Sequence, residues 1–186
     1  CTQGLLQQSR TSTALCVSHI PVREALRQLE AQGLVRIHPN RGATVTQLSR
    51  DSLEDMMEIR ASISYCLLRR AVPLMTRDDF AQLQEIIEEE KHVAGLMETE
   101  ALNYRFHELL TKKAGNSTAD LIIEILHANM DRYLRSGFYT GEDARENSIH
   151  EHQAILDACR EGDAEKAASL LQDHILDARN RIPSNL

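Results

Sequence analysis

At 186 residues, 42% of them hydrophobic and only 4% aromatic, the chain has room for two small domains or one larger one, and it shows no long apolar run and no leader-like start. A net charge of −7 excludes a protein that coats nucleic acid over its whole surface, and the expectation is a soluble, cytoplasmic protein without a membrane span. The charge is unevenly spread: residues 1–50 hold six Arg against two acidic side chains, a net +4, which leaves −11 for residues 51–186 and predicts nucleic-acid contact through the N-terminal part alone.

In chain order, residues 1–14 carry no clear apolar period. A helix is predicted from about Ser18, with Pro21 in its first turn, where a missing backbone donor does no harm. Val22, Leu26, Leu29 and Leu34 form the apolar side, while Arg23, Glu24 and Arg27 stay polar. Gly33 ends the helix, residues 34–37 read as a strand, Pro39-Asn40-Arg41-Gly42 as a turn, and residues 43–45 as a returning strand. This is the outline of the second half of a winged helix-turn-helix, which lays one helix in the DNA major groove.

The polar stretch at 47–52 separates residues 1–48 from residues 51–186, with Ser49 or Asp51 available as an N-cap. Beyond it six helices are predicted, over about 52–72, 77–95, 98–114, 117–135, 142–161 and from 164 to before Pro183. Thr76 and Asp163 are the expected caps of the second and sixth. Ala114-Gly115-Asn116, Ser136-Gly137, Thr140-Gly141 and Gly162 are the expected breaks. No strand pattern follows residue 47. The predicted fold class is mainly α: a partial winged helix-turn-helix followed by an antiparallel six-helix bundle.

Three of the predicted helices each place one histidine within an otherwise apolar stripe. Asn103, His107, Leu110 and Ala114 share one face; so do Ile149, His152, Leu156 and Cys159, and so do Ala167, Leu171, His174 and Ala178. Singly, each is a core histidine in need of a hydrogen-bond partner, since an unsatisfied buried polar group costs about 1–3 kcal/mol. Together they suit a divalent transition metal, zinc or nickel foremost, with a carboxamide oxygen one turn away to complete its coordination. His127, among Ile123, Met130 and Leu134, is a rival; His150 cannot share a face with His152; His92 among acidic neighbours reads as solvated. Cys1, Cys16, Cys66 and Cys159 are widely spaced without a CxxC pair and read as reduced thiols.

The stretch Ser18-His19-Ile20-Pro21-Val22-Arg23-Glu24-Ala25-Leu26, then Leu29 to Val35, then Arg41-Gly42, resembles the recognition helix and wing of GntR-family bacterial transcription regulators. Asn103-Tyr104-Arg105-Phe106-His107 with Ala114-Gly115-Asn116, and Glu151-His152 through Gly162-Asp163-Ala164 to His174-Ile175, resemble the helical ligand-sensing domain, called FCD, of one branch of that family. Six helices rather than seven is closer to its vanillate-regulator subgroup. The resemblance implies a metal at Asn103, His107, His152 and His174, with Asn103 standing where many members have Asp. It also implies a small organic acid as effector, which completes the metal's coordination and pairs with a cation such as Arg60. Arg60 reads equally as a salt-bridge partner, and Ser64 stands where an acidic residue is common.

For the head, the resemblance implies that Ser18, His19 and Arg23 approach base edges or phosphates, Arg27 a phosphate, and Arg41 and Gly42 the minor groove or backbone. Arg23 is the first choice for specificity, and His19 stands where Arg is frequent. A homodimer on a short palindromic operator follows. Only about seventeen residues precede Ser18, where the family has two helices, so either residues ahead of this sequence are missing or the segment is altered relative to the family, and a complete DNA-binding domain is not assumed. Two alternatives stay open: a sensor that does not bind DNA, and a helical metalloenzyme whose three-His site activates water. Against the enzyme, no acidic residue has evident general-base spacing, and a basic head would have no role.

Overall fold

The computed structural model describes residues 5–39, 41–133 and 142–178. Cys1, Asn40 of the wing turn, the turn signals at Ser136-Gly137 and Thr140-Gly141, and the predicted helix end before Pro183 lie outside them.

Residues 1–14, which show no apolar period, contribute two elements: strand β1 (Leu5–Leu6) and helix α1 (Gln8–Ala14). The buried residue of α1 is Ser12, whose hydroxyl donates to Ser9 O at 2.9 Å and lies 3.2 Å from His19 Nδ1. Helix α2 (His19–Ala31) follows, burying Val22 and Leu26, and stops at Gly33, whose φ of +76° is the left-handed conformation glycine adopts without penalty.

Strands β2 (Val35–His38) and β3 (Gly42–Val45) pair antiparallel, with Val35 opposite Val45 and Ile37 opposite Ala43. Strand β1 adds to the other side of β3, so the order is β1-β3-β2 and Ala43 is completely buried at its centre. Gly42 is required here twice over. Its φ is +100°, and a Cβ would lie 2.4 Å from the Leu6 carbonyl oxygen. Val22, Leu26, Val35 and Ala43, with Leu6, Leu29 and Ile37 against them, make a small core of their own.

The remainder is helical, as its periodicity predicts: α3 (Arg50–Ala71), a short 3-10 turn (Val72–Leu74), α4 (Arg77–His92), α5 (Leu96–Lys112), α6 (Ser117–Tyr133), α7 (Glu142–Glu161) and α8 (Ala164–Asp177). The boundaries have local causes. Ser49 Oγ caps α3, Asp163 caps α8, and Thr76 with Asp79 forms a reciprocal capping box on α4. Helix α3 packs on α8, α5 and α6, and α7 packs on α8 and α4. Between them lies one large core that includes Leu68, Leu83, Ile86, Phe106, Leu110, Ile155, Leu156 and Leu171, and the three stripe histidines open onto it.

The end of α6 reaches the winged helix. Asn129 Nδ2 donates to Gln32 O at 2.6 Å, Arg132 Nη1 to Thr46 Oγ1 at 2.6 Å, and Tyr133 OH to Ser49 O at 3.1 Å. Cys16 and Cys66 are exposed and Cys159 is buried, all as free thiols; burial pushes the Cys159 thiol up to about 12, so it is inert.

Candidate metal centre and effector cavity

His107 on α5, His152 on α7 and His174 on α8 are all buried, and their ligand atoms lie within 4.8 Å of one another. His174 Nε2 is the hub, 3.2 Å from His107 Nε2 and 3.3 Å from His152 Nε2. Nitrogens about 2.0–2.1 Å from a tetrahedral ion stand about 3.3 Å apart along the tetrahedron's edge, so these spacings already suit zinc-like coordination. Burial, then the charge of Arg60 and the neighbouring imidazoles, holds His107 well below the usual histidine range, so it is neutral, as a ligand must be. Its Nδ1 is a buried atom without a hydrogen-bond partner among the described residues.

The outer nitrogens of the other two rings face carboxylates: His152 Nδ1 lies 2.9 Å from Glu90 Oε2, and His174 Nδ1 lies 2.6 Å from Glu151 Oε2. The Phe106 ring stacks on His152 with centroids 4.1 Å apart. Asn103 lines a small cavity of about 50 Å³ together with His107, His174, Arg60 and Glu100. Its amide nitrogen donates to Glu100 Oε2 at 3.3 Å, so the nitrogen is the atom committed to a carboxylate partner.

Arg60 is buried on α3 and lines that cavity as well as a wider cleft of about 500 Å³. Ser64, Tyr104, His107, Thr111, Asp120 and Glu124 also line the cleft, so the stripe histidine and the guanidinium open onto one space. Burial pulls the Arg60 guanidinium below its usual value, against the opposing pull of Glu100 and Tyr104, and burial likewise raises the Glu100 carboxyl. The rival His127 stands apart from the three-His cluster, half-buried and stacked on Tyr104 at 3.9 Å; His150 and His92 are exposed.

Sequence reasoning passed over Glu90 and Glu151. Glu90 ends an acidic run, Glu88-Glu89-Glu90, that looks solvated. Yet it falls seven residues after Leu83 on the Leu83, Ile86, Ile87 stripe, and that register was the available signal.

In the head, His19, Arg23, Arg27, Arg41 and Gly42 surround one open concavity with His38 and Pro39. The four charged or imidazole side chains among them are exposed. Ser18 precedes α2, and its side chain makes no capping hydrogen bond. Arg23 and Arg27 both lie near Glu24, at 3.8 and 3.5 Å, pairs too exposed to hold them firmly.

The FCD-domain profile matches residues 55–177, and the profile described as bacterial regulatory proteins, gntR family, matches residues 6–45. The chain belongs to the GntR family, in its FCD branch. It is 30% identical over 176 residues to the HTH-type transcriptional repressor RspR of Escherichia coli strain K12, covering 91% of this chain and 75% of that protein. It is 27% identical over 176 residues to the uncharacterised HTH-type regulator YdhC of Bacillus subtilis strain 168, covering 92% and 76%. Among solved structures, a GntR-family regulator from Pseudomonas syringae pv. tomato superposes with a TM-score of 0.60 at 29% identity, covering 97% of this chain and 77% of the other. McbR/YncC of E. coli shares the fold, with a TM-score of 0.74 at 21% identity, covering 93% and 84%. The GntR chain is therefore a transcription regulator with a DNA-binding helix-turn-helix. The metalloenzyme reading falls, because the family and these relatives are regulators rather than enzymes. Among the described residues no helix is long and apolar enough to cross a membrane.

Proposed function

We propose that this GntR–FCD chain is a cytoplasmic, ligand-responsive regulator, with residues 1–48 as its DNA-reading part and residues 51–186 as its sensor. A divalent transition metal, zinc or nickel foremost, is held by His107, His152, His174 and Asn103. A small carboxylate enters the cleft, meets the metal and the Arg60 guanidinium, and alters operator binding. The observation that carries this reading is the convergence of three imidazole nitrogens within 4.8 Å of one another, two of the separations 3.2 and 3.3 Å, with the buried Arg60 guanidinium lining the same cavities as His107.

The DNA-reading set is Ser18, His19, Arg23, Arg27, Arg41 and Gly42, acting as a homodimer on a short palindrome because one small head makes few phosphate contacts. Ile59 on α3 and Ile122 on α6 are exposed apolar side chains on two helices that pack together, which supports a dimer.

The test is metal analysis of the purified protein, followed by a thermal-shift screen of small organic acids with and without added zinc or nickel. The expected result is a stoichiometric divalent metal, lost in the His152→Ala variant, and a carboxylate whose stabilisation needs that metal. If no divalent metal co-purifies and none stabilises the chain, the assignment of Asn103, His107, His152 and His174 fails. An operator shift assay with the same acids reads the coupling to DNA.

A further inference from the structure

We infer that Glu90 and Glu151 are positioning residues for the metal centre, holding His152 and His174 in the one tautomer that can ligate. The inference rests on the reading that the three histidines hold a metal, and it assigns a function to two carboxylates outside the ligand set.

A neutral imidazole carries its proton on one nitrogen only. To bind an ion through Nε2, the proton must sit on Nδ1. In water both tautomers are available, but in a buried site the hydrogen-bond partner decides. A carboxylate oxygen of Glu90 at 2.9 Å and one of Glu151 at 2.6 Å each stand where an Nδ1–H of the ring they face can donate to them. With the proton on Nδ1 of each ring, the Nε2 atoms of His152 and His174, 3.3 Å apart, are both left able to ligate one cation.

The carboxylates come from outside the helices that carry the rings they serve. Glu90 belongs to α4 and serves His152 on α7, while Glu151 belongs to α7 and serves His174 on α8. Orientation of the ligands is thereby tied to the packing of three helices. Leaving Glu90 almost wholly buried is costly for a carboxylate unless a charge or strong donor compensates it.

His107 is the contrast. Its Nδ1 has no partner among the described residues, so nothing holds the proton there, and Nε2–H can donate to the His174 lone pair 3.2 Å away. His107 is thus the ligand whose tautomer must change when the ion arrives, whereas the other two are set in advance.

The experiment compares wild type, Glu90→Gln, Glu151→Gln and Glu89→Gln as whole chains. Glu89 is exposed, pairs with Arg105 and serves as the control. Zinc affinity is measured by chelator competition, and the melting temperature is taken with and without zinc. Each Gln variant of a positioning carboxylate should bind zinc about 10–100-fold more weakly and lose most of the zinc-induced rise in melting temperature, with Glu89→Gln unchanged. A purely structural role would lower the metal-free melting temperature and leave the zinc-induced rise intact, which overturns the inference. A second measurement needs no variant: imidazole nitrogen NMR of the metal-free protein should show Nδ1–H at His152 and His174, and Nε2–H there overturns it too. If wild type binds no zinc or nickel at all, the metal reading itself has failed. If wild type binds and both Gln variants bind within twofold of it, only the positioning inference has failed.

Discussion

Arg60 is 7% exposed, and no hydrogen bond runs from its guanidinium to another described residue. Burial penalises its charge, and only the field of Glu100 and Tyr104 opposes that penalty. Had Arg60 been a structural ion-pair partner, removing it would strand a buried charge and cost about 3–5 kcal/mol. A binding cation differs, because its desolvation is compensated only when the ligand arrives. Arg60→Met should therefore melt at or above the wild-type temperature while losing the carboxylate-induced thermal shift; a fall of many degrees without ligand would return Arg60 to a structural role. Much of this site was legible at the residue scale. The i, i+4 and i+3 spacings put His107, His152 and His174 on apolar stripes, and all three are buried together. Whether Arg60 faced solvent or the cavity was not legible, because a lone Arg on an amphipathic helix satisfies both patterns until neighbouring helices are in place. Glu90 was hidden for a related reason: its acidic neighbours mask the core register it occupies.

Helices with local punctuation were legible, and elements defined by distant partners were not. Ser49, Thr76 and Asp163 begin α3, α4 and α8 as expected, each accepting from a backbone N–H three residues on. Strand β1 is two residues long and exists only by pairing with β3, some forty residues away, so no window of sequence around Leu5 could reveal it. Helix α1 has Ser12 as its buried residue and thus lacks the apolar period on which helix recognition depends. The caps make a quantitative expectation. Thr76 both caps α4 and is bonded back by Asp79, which also pairs with Lys113 at 3.1 Å. Thr76→Ala should cost about 1 kcal/mol, roughly 2–4 °C in melting temperature for a chain of this size, with zinc affinity unchanged. At the other end of the bundle, Arg132 donates to both the hydroxyl and the carbonyl of Thr46, pinning a stretch that lacks regular structure before α3. Arg132→Ala should make that stretch open more often and be cleaved faster by a protease in limited digestion, while the melting of the bundle stays put. Equal cleavage rates would show that these bonds do not restrain it.

On the scale of the whole molecule, charge separates the two tasks. The net +4 of residues 1–50 rides on a body of −11, so DNA is attracted to one end of the chain and repelled by the other. Such a charge distribution predicts binding through few phosphate contacts, and the salt dependence of binding would count them. Arg23 and Arg27 stand one turn apart on the exposed side of α2 and line the same concavity, but their expected contributions differ in kind. If Arg27 neutralises a phosphate, Arg27→Ala should flatten the slope of log affinity against log salt by about 1 per head, and hence about 2 for a dimer, weakening operator and unrelated DNA alike. If Arg23 reads a base, Arg23→Ala should cost about 1–3 kcal/mol per half-site on the operator while leaving binding to unrelated DNA nearly unchanged. A titration series over several salt concentrations, on operator and on scrambled duplex, distinguishes the two. Equal losses on both duplexes for Arg23→Ala would demote it to a phosphate contact and shift the reading of sequence to His19 or the wing.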